Sequence, residues 1–160
     1  MKTPVDDIYK IKKIREERAE RNLAKAEADL RLKEKIVIEK EEALKNYQIW
    51  RVEEEEKKYA VLLKKKSVKR KSLDDLKFEI KDMRDKEIDF HQAVSKAESA
   101  VVAAEEELET AKKAYVQSIR NTEKMSEMQN SLRTELMTEA ALNIEKEMED
   151  SFQYKPKSPL

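Results

Sequence analysis

No glycine occurs anywhere in the 160-residue chain. Glycine supplies the positive backbone φ that hairpin turns, helix C-caps and phosphate-cradling loops demand, and an average domain of this length would hold about ten. Its absence rules out β folds built on tight hairpins, Gly-rich phosphate loops and dinucleotide fingerprints. Cysteine is absent as well, which removes disulfide frameworks, zinc knuckles and thiol catalysis. Proline occurs only at Pro4, Pro156 and Pro159. A chain with so few turn-formers must be long helix.

Charge narrows the class further. Lys and Arg number 35, Asp and Glu also 35, and together they make up 44% of the residues. The zero net charge argues against a nucleic-acid-binding domain, which carries a basic excess, and against a disordered polyelectrolyte. Hydrophobic residues reach 39%, enough for an apolar stripe but not for a globular core. No run of 18 apolar residues exists, so no membrane insertion is expected. The opening MKTPVDDIYKIKK lacks the apolar core of a signal peptide, so the protein is expected to remain in the compartment of its synthesis.

One break divides the helical body. Pro4 suits a first helical turn, and Asp6 and Asp7 follow at the positive end of the helix dipole. Residues 64–71 read KKKSVKRK, and Ser72-Leu73-Asp74-Asp75 then offers an N-cap with an acid three positions on. These signals predict a first helix over about 6–66, a basic turn over about 67–72, a second helix over about 73–150 and a frayed tail over 151–160.

The second helix has the clearer periodicity. Alternating steps of three and four from Leu73 pass through Leu76, Ile80, Met83, Glu87, Phe90 and onward to Leu136, and 15 of the 19 positions are apolar. Such a sustained seam demands a partner helix. In the first helix Leu23, Ala26, Leu30, Val37, Leu44, Tyr47 and Val61 fit one seam, but Lys33, Lys40, Arg51, Glu54 and Lys58 interrupt it. Ile8, Ile11 and Ile14 fit a different phase. A seam this polar pairs poorly with itself, whereas a short loop sets it antiparallel against the second helix. The predicted fold is all-α: an antiparallel coiled-coil hairpin forming a single domain, monomeric in isolation, with the C-terminal helix longer and overhanging.

In that hairpin facing residue numbers sum to about 139, placing Ile8 near Ser131. The overhang beyond carries Leu132, Leu136, Ala140, Ile144 and Met148, with Met137 and Leu142 beside them. It reads either as a frayed amphipathic end or as a docking surface for another protein.

Catalytic chemistry finds little footing. His91 is the only histidine, so neither a His-based triad nor a multi-His metal site can be built. The acidic pairs lie on solvated helix faces, without the concavity that shifts a pKa. We therefore expect no catalytic, cofactor or metal-binding residues. Charge, by contrast, is sharply segregated. Residues 57–71 hold eight basic side chains and no acid, while residues 98–150 hold thirteen acids and six bases. The basic turn reads as a solvated loop, as a contact for an acidic protein surface, or as a site for lipid headgroups or nucleic acid. The segment Tyr47-Gln48-Ile49-Trp50-Arg51-Val52 carries more large apolar side chains than a two-stranded seam uses. Trp50 reads as edge packing near Phe90 or as an exposed anchor for a partner.

Two stretches carry a resemblance. Ile11-Lys12-Lys13-Ile14-Arg15-Glu16-Glu17-Arg18-Ala19-Glu20-Arg21 and Tyr47-Gln48-Ile49-Trp50-Arg51-Val52-Glu53-Glu54-Glu55 resemble the YscO family of bacterial type III secretion, whose flagellar counterpart is FliJ. The resemblance implies a central stalk like that of rotary ATPases. Its paired ends would enter the pore of a hexameric secretion ATPase, and its hairpin would reach the cytoplasmic ring of the export gate. Secretion chaperones are implied as further partners. By position, Ile8, Ile11, Ile14, Leu132, Leu136 and Ile144 would face the ATPase. Tyr47, Trp50, Arg51, Lys65, Arg70 and Lys71 would lie toward the gate or a chaperone. The location implied is cytoplasmic, at the periphery of an inner-membrane apparatus, with nucleic acid excluded as a partner. The alternative is a generic coiled-coil dimer acting as a spacer or adaptor.

Overall fold

The computed structural model describes residues 2–153, all but a few of them helical. Helix α1 spans Pro4–Leu63 and helix α2 spans Arg70–Gln153, with 60 and 84 residues respectively. The two pack against one another as an antiparallel helical hairpin whose C-terminal helix is the longer, and no strand occurs among the described residues. Of the expected tail 151–160, Ser151 to Gln153 continue α2, and the remainder lies outside the described residues.

Local chemistry sets the helix ends. Thr3 caps α1: its backbone N–H donates to Asp6 Oδ2 at 3.0 Å, while the Asp6 amide donates back to Thr3 Oγ1 at 3.4 Å. This reciprocal box satisfies two of the amides that a helix start leaves unpaired. Helix α1 closes as Lys64 and Lys65 donate to the carbonyls of Ala60 and Leu62, both at 3.2 Å. Helix α2 starts at Arg70, so Ser72 falls inside its first turn rather than at the cap. The reason is that the Lys69 carbonyl already accepts the Leu73 amide at 3.2 Å, upstream of the serine. No non-glycine residue among those described has positive φ, so the turn is made without the conformation that glycine serves.

The chain forms two compact units, residues 23–111 and residues 1–22 with 112–160. In the first, Leu76, Ile80 and Met83 of α2 form the core, with Leu62 of α1 packed on them, and Ala97 and Ala104 are buried further along the same seam. Helix α1 buries no residue fully. Its half-buried face runs through Leu23, Ala26, Leu30, Lys33, Val37, Leu44, Tyr47, Arg51, Glu54 and Lys58, whereas Lys40 and Val61 of the predicted seam are exposed and Leu62 packs on the core where Val61 was expected. Partners across this unit are Arg84 with Glu55, Arg51 with Glu87 and Lys58 with Glu79, at or within two of the expected sum.

In the second unit, Val5, Tyr9, Lys12, Glu16 and Ala19 extend the same three-four stepping back to the start of α1. Ile8, Ile11 and Ile14 lie outside it, between 41% and 57% exposed. Thr122 is buried here, its hydroxyl donating to the Ser118 carbonyl at 2.9 Å and approaching the Lys12 carbonyl at 3.4 Å. Beyond Leu132, every α2 residue through Phe152 is exposed.

The burial pattern predicts where truncation hurts. Ile80→Ala should cost about 2–3 kcal/mol in denaturant unfolding, because it empties the core with no third layer to collapse into it. Ile49→Ala, at an exposed position, should change stability by no more than about 0.5 kcal/mol. Equal losses at the two sites would contradict the assigned seam.

Candidate functional site

Three surface features carry chemistry, and none is a catalytic cleft. The first is an aromatic and charged cluster between residues 47–55 and 83–91. The Tyr47 ring stacks on Phe90 across the hairpin, centroids 4.6 Å apart, and its hydroxyl donates to the Met83 carbonyl at 2.7 Å. Burial pushes the Tyr47 phenol above its ordinary pKa. Trp50 tilts against Tyr47 at 5.5 Å yet remains 48% exposed. The ring contact of Trp50 is thus with Tyr47, which itself stacks on Phe90, and about half of the indole side chain is open to solvent.

One step further along the seam, Arg51 binds two carboxylates. Its Nη1 donates to Glu55 Oε1 at 2.9 Å, and its Nε lies 2.8 Å from Glu87 Oε2 as an ion pair without hydrogen-bond alignment. Arg84 reaches the same Glu55 oxygen at 3.3 Å. Burial pushes the Glu55 carboxyl up, but the hydrogen bonds from Arg51 and Arg84 more than reverse it, so its pKa lies below the ordinary value. The Glu55 bond raises the Arg51 guanidinium, which stays charged throughout. His91 sits 3.8 Å from Glu87 on the solvent side. Lys58 donates to Glu79 of α2 at 2.6 Å. The Asp82–Lys86 pair along α2 is present at 3.6 Å.

The second feature is the open end. Asp6 accepts from Gln129 Nε2, and Arg133 stands 3.8 Å away. The Gln129 bond, together with those from Thr3, holds Asp6 below its usual carboxylate range. Past this clasp, α2 presents Leu136, Met137, Leu142, Ile144 and Met148 to solvent. Ile8, Ile11 and Ile14 face outward in the same unit, beside Lys10, Lys13 and Arg15.

The third feature is the turn, where Lys64, Lys65, Lys66, Lys69, Arg70 and Lys71 are all exposed. Of the expected interaction residues, Trp50, Lys65, Arg70 and Lys71 are therefore accessible, while Tyr47 and Arg51 are engaged within the hairpin. Periodicity alone could not show that engagement, although Arg51 and Glu87 are both polar breaks in their seams. Among the described residues, no group of three or more His, Cys, Asp or Glu side chains could hold a metal ion. No helix among them is long and apolar enough to cross a membrane.

The class of protein these features define is a two-helix hairpin with exposed apolar and charged faces. The model of the type III secretion protein YscO family matches residues 5–154, nearly the whole chain. The protein belongs to the YscO family. A crystal structure of the type III secretion protein YscO from Vibrio parahaemolyticus has the same fold, with a TM-score of 0.81 at 23% identity, covering 94% of this chain and 92% of that one. No curated protein matches the chain. Family membership ties the protein to the type III secretion apparatus.

The Arg51 cluster generates two predictions. Arg51→Ala should cost about 1–3 kcal/mol, because Glu55 and Glu87 lose their shared cation, whereas Arg51→Leu with Glu87→Leu should recover that loss. Both Glu55 and Asp6 have lowered folded pKa values, so the stability they add is present above their unfolded values of 4.5 and 3.8 and is lost as pH falls through the folded ones. Unfolding free energy should therefore be level near neutrality and decline below about pH 4.5, with a shallower decline in Glu55→Gln. An unaltered slope in that variant would remove Glu55 from the account.

Proposed function

We propose that the protein is a non-enzymatic central-stalk component of a type III secretion apparatus, linking the hexameric secretion ATPase to the export gate and receiving secretion chaperones. The observation that carries this reading is the length of α2 that α1 leaves uncovered. An amphipathic extension bearing Leu136, Ile144 and Met148 needs a partner to bury it, and the outward Ile8, Ile11 and Ile14 add a second apolar face in the same unit. On this reading these residues and Leu132 contact the ATPase. At the turn, Lys65, Arg70 and Lys71 point toward the gate. Trp50 is the chaperone or gate anchor, an exposed indole of the kind that dominates interface energetics, with Tyr47 and Arg51 as the support that holds it. The location that follows is cytoplasmic and peripheral to the inner-membrane machinery. A spacer that dimerises through the α2 seam is less well supported, because Leu76, Ile80 and Met83 are already packed with Leu62 of the same chain.

The test is co-purification with the secretion ATPase of the same system, together with its rate of ATP hydrolysis. The wild-type chain should be retained and should raise hydrolysis. Leu136→Ser with Ile144→Ser should lose at least about tenfold in affinity while keeping its helical signal, since both positions are exposed. Trp50→Ala should spare the ATPase and weaken chaperone capture. Unchanged hydrolysis at a stoichiometric excess would refute the stalk reading.

A further inference from the structure

The turn between α1 and α2 combines two properties that a solvated loop has no reason to join. One is unpaired charge. Residues 57–71 hold eight cations and no anion, and among them Lys58 alone has an ion-pair partner in the described residues. The other is aliphatic exposure among those cations. Leu63 is 80% exposed, Val61 60% and Val68 49%, although Leu62 between two of them is half-buried against the core. Leu63 is the most exposed large hydrophobic side chain of the described chain, and it sits where α1 ends.

The arrangement has a direction. Lys64, Lys65 and Lys66 follow the end of α1, Lys69 precedes α2, and Arg70 and Lys71 begin it, so exposed positive charge borders the turn from both helices. The nearest acids, Glu54 with Glu56 on α1 and Asp74 with Asp75 on α2, all lie further from the apex along their helices. Cations lead and anions trail. A partner protein presents acid at fixed points and an apolar pocket at one of them. Exposed cations from both helix ends of a turn, with exposed aliphatics among them, match instead a surface whose negative charge is diffuse and whose apolar phase lies just below it.

We infer that the turn is a peripheral docking tip for an anionic lipid bilayer. Lys64, Lys65, Lys66, Lys69, Arg70 and Lys71 pair with lipid phosphates, and Leu63 and Val68 enter the headgroup layer between them. The tip docks without spanning, and no helix among the described residues is long and apolar enough to cross a membrane. This inference goes beyond the stalk reading and does not depend on it. A tip directed at membrane-embedded machinery would meet lipid and protein together, but lipid alone suffices for the binding inferred here.

The test is co-sedimentation of the full chain with vesicles of phosphatidylcholine alone or containing about a third phosphatidylglycerol. Binding should occur only with the anionic vesicles and should weaken steeply as salt rises. Lys64→Glu, Lys65→Glu and Lys66→Glu combined should weaken it by about tenfold or more. Leu63→Ser with Val68→Ser should also weaken it, and should remove whatever binding persists at high salt, because only the aliphatic contribution is insensitive to screening. All these positions are exposed, so the helical signal and thermal midpoint of each variant should match the parent. Failure to sediment with anionic vesicles at low salt would overturn the inference. So would equal binding by the charge-reversed chain. Capture by polyglutamate without vesicle binding would assign the tip to an acidic protein instead. None of these outcomes touches the ATPase experiment, which reads Leu136 and Ile144.

Discussion

Arg51 and Glu87 meet where the three-four stepping of each helix calls for an apolar side chain, and the pairing of the hairpin turns on that contact. An ion pair in a coiled-coil seam adds little net stability, because desolvation consumes most of the Coulomb gain. Its value lies in what happens when it is lost. Sliding one helix past the other would part Arg51 from Glu87 and Arg84 from Glu55, leaving Glu87 without its guanidinium, while the Arg51–Glu55 pair within α1 would persist. A polar pair at a seam position is the device by which helices specify register. Here it also sets the aromatic stack beside it, since the alignment that joins Arg51 to Glu87 brings Tyr47 over Phe90 one step away.

The polar seam of α1 has a second consequence. With Lys12, Glu16, Lys33, Arg51 and Lys58 along its inner face, α1 cannot zip with a copy of itself, and it buries no residue fully even against α2. The apolar seam of α2 supplies the burial, and α1 supplies the complementary charges. Where α1 stops, at the Thr3–Asp6 cap and the Gln129 contact, α2 continues with its hydrophobic spacing intact. The surface that most needs a partner is thus produced by a difference in helix length. The unpaired aliphatics at the turn arise differently, from a linker too short and too basic to fold back on itself.

Much of this was legible in the residues. The absence of glycine, the α2 heptads and the basic break required two antiparallel helices with the C-terminal one longer. The structure has that form, and the family comparison agrees with the resemblance carried by the RAE-containing and Trp-Arg segments. Less legible was the start of α1, where three isoleucines outweighed Val5 and Tyr9 in any reading by hydrophobicity, although the latter pair keeps the seam's phase. Ser72 was a poor guide to the α2 start because a backbone carbonyl, invisible to residue type, accepts the first helical bond. Lys58, a polar break in the α1 seam, finds its partner in Glu79 of the facing helix. For Lys58 the deciding partner was distant in sequence. The interaction surfaces are harder still to read, since exposure states that a partner is needed and charge gives its sign, while the partner's shape is written in another chain.

The central claim is that the two helices pair within one chain, antiparallel, in the register held by Arg51 and Glu87. With no native cysteine, the chain accepts a unique engineered pair, and Lys58→Cys with Glu79→Cys replaces two residues whose side chains touch across the hairpin. Treatment with a short bis-maleimide, followed by denaturing electrophoresis, reads both the pairing and its molecularity. The structure predicts a rapidly formed, intramolecularly linked monomer whose yield does not depend on protein concentration. Linked dimers whose yield rises with concentration, or no linkage at all, would contradict it.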